Sequence, residues 1–151
     1  APWCSHALVT DHLIGLVAES HPLGRTAEGT PVTLGAYRAH PGVVVSLRDP
    51  GPNVIDVALA ERGLARRITV RTRSVTANVA ALLDTDLVAS VPARLLPILA
   101  PRGYRSFDIP LTLPPIDYRL VWHRRCDADP AAIWLRDLIA SLYDGGRQTA
   151  D

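Results

Sequence analysis

The 151-residue chain has no lysine and no methionine, so all sixteen of its basic residues are arginine. That bias reads as the mark of a GC-rich coding sequence rather than of a binding surface. The formal net charge is +1 and only 21% of residues are charged, which leaves neither a polybasic field for nucleic acid nor an acidic tail. Cysteine is scarce as well. Cys4 and Cys126 stand far apart and belong to no C-x-x-C pair, so no zinc ribbon or disulfide framework is expected, only reduced thiols. No apolar run approaches ~20 residues, and the opening "APWCSHALVTDHL" lacks a basic n-region followed by a long apolar stretch. Neither membrane insertion nor export is expected, and a cytoplasmic location is the resulting expectation. Internal repeats and low-complexity segments are missing too. The stretch "ALVTDHLIGLVAESHPL", with no initiating methionine before it, reads as the interior of a longer polypeptide.

What is present is enough apolar residue, 48% of the chain, for one domain that buries roughly 70% of its unfolded surface. Short β-like runs alternate with helical patterns, the signature of α/β architecture with a largely parallel sheet. The first strand is expected at "LIGLVA", residues 13–18, and "GVVVSL", 42–47, has the continuous β-branched character of a buried parallel strand. Asn53 is placed to cap a helix over "VIDVALAERG", with Gly63 at its end. "RRITVRT" returns as a strand, Ser74 caps the next helical pattern, and "LVASVP" is a strand again. Pro97 limits or kinks the helix that follows, and Pro110 confines "YRSFDIPL" to an edge. A last strand, "DYRLVWHRR", leads into a last helix, "PAAIWLRDLIASLYD".

The densest polar cluster lies between those two elements, where His123, Cys126, Asp127 and Asp129 fall within seven residues. A catalytic zinc needs three protein ligands and an open position, and no second His motif or Cys pair completes a set. A nucleophilic Cys needs a base in defined geometry or a helix N-terminus beside it. A simpler account covers more of the residues: Asp129 followed by Pro130 is a helix cap with proline at the first helical position. Ile133, Trp134, Leu138, Ile139 and Leu142 then form one apolar stripe. No metal, cofactor or catalytic residue is expected.

The ordered set "HPL" after a strand, "VVVS" before a Gly/Pro loop and helix, "ALAERGLARRITVRT", "TDLVASVPARL" and "LVWHRRCDADPAAIWLRDLI" resembles the effector-binding region of LysR-type transcriptional regulators, over about Leu8 to Leu142. No single one of these motifs is diagnostic; their order carries the resemblance. It implies a two-lobed fold like that of type II periplasmic binding proteins, with a small-molecule effector in an interlobe cleft. Here it implies mainly one complete lobe, about 20–115, a mixed and largely parallel sheet with flanking helices. Two crossing strands, 13–18 and 117–124, and a first-lobe helix, 130–144, complete the expected set. The rest of the first lobe and the N-terminal winged helix-turn-helix that would bind DNA fall outside this sequence.

Ligands in open α/β sheets bind outside the carboxyl ends of the strands. Two corners meet that description, 46–53 and 72–76, with Ser46, Arg48, Arg73, Ser74 and Thr76 as candidate effector contacts. A Ser or Thr there also serves simply as a cap, and Arg48 and Arg73 also read as solvated surface groups. Trp122 and His123 are expected near the hinge. The effector class is a small aromatic or carboxylate-bearing metabolite, and self-association through the last helix or the crossing strands is expected from the apolar stripe. A solute-binding protein of similar fold and a small α/β enzyme are the alternatives.

Overall fold

β-Branched runs fully buried on both faces become central strands, and the chain places them in a five-stranded sheet. The computed structural model describes residues 2–25, 30–46, 53–99 and 102–144. In chain order these form β1 (Trp3–Asp11), β2 (Leu13–Ala18), α1 (Leu34–Ala39), β3 (Gly42–Val45), α2 (Val54–Ala60), β4 (Ile68–Thr72), α3 (Val75–Ala80), β5 (Val88–Pro92), α4 (Leu96–Leu99), β6 (Tyr104–Asp108), β7 (Ile116–His123) and α5 (Pro130–Asp144). Two units result, His12–Pro115 and a smaller one drawn from Ala1–Asp11 and Ile116–Asp151.

The larger unit holds the sheet in the order β4-β3-β5-β2-β6. β3 runs parallel to β4 and β5, while β2 is antiparallel to β5 and β6, so the sheet is mixed and its parallel part is confined to three strands. Successive residues of a strand point to opposite faces. Leu16 accordingly joins Val43, Ala89 and Val91 against Val79 and Leu82 of the α3 region, while Val17 joins Val88 against Tyr37 of α1 and Ile55 and Leu59 of α2. The short helices are held by their caps. Thr33 accepts from the Ala36 N–H, Asn53 from those of Ile55 and Asp56, and Ser74 from that of Ala77. Gly63, at φ +66, ends α2 in the left-handed conformation expected of it.

β6 lies at the edge, where its proline-limited sequence placed it. It is fixed by a side chain lying over backbone: a Cβ on Gly15 would come within 2.3 Å of the Phe107 ring. On the other side Arg66, whose side chain is only 3% exposed, distributes its guanidinium over three acceptors. Nε donates to Asp56 at 2.7 Å, Nη1 to the Tyr37 hydroxyl at 2.8 Å and Nη2 to Asn53 Oδ1 at 3.3 Å. Tyr37 Oη in turn lies 3.3 Å from Ser90 Oγ of β5.

The histidine of "HPL" is buried too. The Leu23 N–H donates to His21 Nδ1 at 3.0 Å, so the ring proton sits on Nε2, which donates to the Asp86 carbonyl at 3.2 Å. A neutral imidazole therefore staples the turn after β2 to the loop before β5. Burial pushes its pKa below the usual histidine value, the nearby His40 adds to that, and Asp86 opposes it.

In the smaller unit β1 and β7 form an antiparallel pair running from Trp3 opposite His123 to Asp11 opposite Ile116, with an irregularity between Ala7 and Val9, and α5 packs on β1. The chain passes between units at Asp11–His12 and Pro115–Ile116. The run 13–18 pairs within the five-stranded sheet, where Ile14 to Ala18 are buried, and β7 pairs with β1 in the smaller unit.

Two outcomes follow from these polar contacts. Below about pH 6.5 the unfolded chain binds a proton at His21 that the folded chain resists, so stability falls as pH drops through that value. Urea midpoints measured from pH 8 to 5 should decline in the parent and be flatter in His21→Gln. Arg66→Ala leaves the half-buried Asp56 and the Tyr37 and Asn53 oxygens without their shared donor and should cost about 2 kcal/mol in chemical denaturation, with no comparable loss for Arg71→Ala on the exposed edge.

Candidate functional site

Parallel strands put their carboxyl ends on one edge of a sheet. β3, β4 and β5 end there at Val45, Thr72 and Pro92, β6 ends there at Asp108, and the antiparallel β2 starts there at Leu13. This edge therefore collects Ser46, residues 72–76, 92–93 and 108–110.

At its β3–β4 end the Ser46 N–H donates to the Thr72 carbonyl at 2.8 Å, joining the two strand ends. Thr72 Oγ1 is the centre of the corner. It lies 2.8 Å from the Ser74 carbonyl, 3.2 Å from the Ser74 nitrogen and 2.6 Å from Asn78 Oδ1. Ser74 Oγ accepts from Ala77 N–H at 3.4 Å, a long capping bond, and Thr76 and Arg73 are exposed. Ser46, Arg73, Ser74 and Thr76 are thus gathered around two adjacent strand ends, while Arg48 lies outside the described residues. N–H groups at the two helix starts on this edge are partly used internally, because Asn53 and Ser74 each cap their own helix. Thr72 falls within the corner expected at 72–76, whereas Asn78 does not: it is a polar residue in an otherwise apolar helical pattern, and nothing in that pattern marks it as buried.

A cavity of about 430 Å³ opens at the far end of the same edge, lined among others by Ile14, Val32, Ser106, Phe107, Asp108 and Pro110. The corner on β3 and β4 and the cavity on β2 and β6 are separated by β5, so their near strands lie two spacings, about 10 Å, apart. A polar depression of about 410 Å³ lies on the amino edge, where Ser20, His21 and Arg25 face Asp84, Thr85 and Asp86.

The cluster after β7 forms a chain reversal. Trp122 Nε1–H donates to Asp127 at 2.9 Å, and the Arg136 guanidinium stacks 4.6 Å from the Trp122 ring while donating to the Cys126 and Asp127 carbonyls. His123 Nδ1 accepts from the Arg125 N–H, and Asp129 caps α5 through the N–H groups of Ala131 and Ala132. No group of three potential metal ligands forms among the described residues. Trp122 and His123 lie at the end of β7 opposite to Ile116, and His123 is seven residues and about 23 Å along the strand from it. No helix among the described residues is long and apolar enough to cross a membrane.

Residues 3–143 match the family model of the LysR substrate binding domain. The chain belongs to that family. It is 31% identical over 137 residues to the HTH-type transcriptional activator NahR of Pseudomonas putida, covering 90% of this chain and 44% of NahR. As a LysR substrate binding domain it also matches solved regulatory structures. A transcriptional regulator from Vibrio parahaemolyticus superposes with TM-score 0.77 at 27% identity, over 93% of this chain and 64% of that one. The regulatory domain of MexT, a transcriptional activator in Pseudomonas aeruginosa, gives TM-score 0.77 at 25% identity, over 93% and 68%. The chain thus spans less than half of NahR and about two thirds of these structures.

Asp129→Ala should destabilise α5 by about 1 kcal/mol, read as a lower helix signal and melting temperature. Cys126→Ala, which leaves the carbonyl that Arg136 holds, should change neither.

Proposed function

We propose that this chain is the ligand-sensing part of a bacterial LysR-type transcriptional regulator, working in the cytoplasm and not as a catalyst. The observation that carries the reading is the family match over residues 3–143. The carboxyl edge supports it, because hydroxyls and an arginine converge on the β3–β4 corner. A small effector bearing a carboxylate is held there through Ser46, Ser74 and Thr76, with Arg73 supplying charge. Arg48 belongs to the same proposed set.

Response requires that the effector bind one arrangement of the protein more tightly than another, so that occupancy shifts the population. DNA is reached through a winged helix-turn-helix in the same longer polypeptide. The subunits associate through α5, whose Trp134 is 64% and Leu142 70% exposed and whose stripe continues through Leu138.

The test is a thermal-shift screen of small organic acids on the full-length protein, followed by DNA binding with each hit. A hit should change DNA affinity, and Arg73→Ala should weaken the response about tenfold with melting unchanged. A secretion signal in place of a helix-turn-helix upstream would overturn the reading. Sedimentation should show a species larger than a monomer that Trp134→Glu dissociates.

A further inference from the structure

Asn78 is wholly buried, and its carboxamide is the group among the described residues that keeps an unmatched polar side-chain atom. As placed, Oδ1 takes the Thr72 hydroxyl at 2.6 Å and Nδ2 has no partner. Thr72 has one proton and two acceptors in reach, Asn78 Oδ1 and the Ser74 carbonyl at 2.8 Å. Turning the amide over resolves that competition: Nδ2 donates to Thr72 Oγ1, Thr72 donates to Ser74, and Oδ1 is left unmatched. Either way one polar atom of a buried amide goes without a partner, a cost that a leucine of similar volume would not carry.

The unmatched atom is not in a remote part of the core. Its carboxamide is directed at Thr72, the residue whose carbonyl binds Ser46 and whose hydroxyl binds Ser74. We propose that Asn78 reads an oxygen of the effector, its Nδ2 donating to a carboxylate that enters at the β3–β4 corner while Oδ1 keeps the proton of the Thr72 hydroxyl that holds the amide in place. This rests on the corner being the effector site. The reversible amide suits the task, since Nδ2 turned toward the ligand donates to a carboxylate and leaves Oδ1 to Thr72. Such a contact discriminates strongly, because an analogue without the oxygen leaves the buried amide unpaired. Asn78 is covered, so an incoming oxygen reaches it only if the corner parts, which couples occupancy to displacement of α3 against β4.

The experiment uses the 151-residue chain with benzoate as probe and toluene as its oxygen-free counterpart. Benzoate should raise the melting temperature and move the Asn78 side-chain amide pair in ¹H–¹⁵N spectra, identified by its loss in Asn78→Leu; toluene should do neither. Asn78→Leu should melt at or above the parent yet lose the benzoate shift, and Thr72→Val should weaken it. An Asn78→Leu variant that melts lower and still responds makes the amide a structural knot and overturns the proposal. So does a parent protein whose amide is unmoved by benzoate at its solubility limit; the sensor reading is then judged separately by the full-length protein's DNA response to its own hits.

Discussion

The larger unit depends on how one buried guanidinium is satisfied. Arg66 has its charge neutralised by Asp56 and gives two further hydrogen bonds, to the Tyr37 hydroxyl and to Asn53, so its planar fork joins its own segment to α1 and to the start of α2. A single ammonium could not reach the same acceptors with the same directions. Because one acceptor is Asn53, the network also fixes where α2 begins, and with it the end of the connection that leaves β3. Tyr37 extends the chain of contacts to Ser90 and, edge to face at 6.1 Å, to Phe107. Order thus propagates from the segment before β4 to the opposite edge strand.

The two edges of the sheet are built from different chemistry. On the amino edge a neutral imidazole and a backbone carbonyl close the turn. On the carboxyl edge hydroxyls and an amide surround the strand ends, and an arginine there is exposed. From β3 at the corner to β2 at the cavity is two strand spacings, about 10 Å, with the end of β5 at Pro92 between them.

The alternation of β-branched runs with capped helical patterns was readable because burial on both faces forces continuous apolar runs, as in "GVVV", and because Asn53, Ser74 and Asp129 advertise helix starts. β1 was not readable: "WCSHALVTD" follows no period of two, since its ladder is interrupted between Ala7 and Val9. In the candidate site, Ser46, Arg73, Ser74 and Thr76 were legible from strand ends alone. Asn78 and Arg66 were not, because Arg66 finds its partners at Asp56, Asn53 and Tyr37, distant along the chain, and Asn78 keeps an atom without one. His123 and Cys126 are close in sequence yet separately engaged, His123 through its ring nitrogen with the Arg125 N–H and Cys126 through its backbone carbonyl with Arg136.

Gly15 gives this domain an unusual evolutionary constraint. The Phe107 ring that occupies the space above it is also part of the cavity wall, beside Ile14. Any side chain at position 15 would eject the ring and loosen the edge strand along with it. Trimming the ring instead would enlarge the cavity and leave the strand pairing to backbone bonds. A lineage exploring new cavity shapes therefore has a one-way path: position 107 can change first, and only afterwards does position 15 become free to vary.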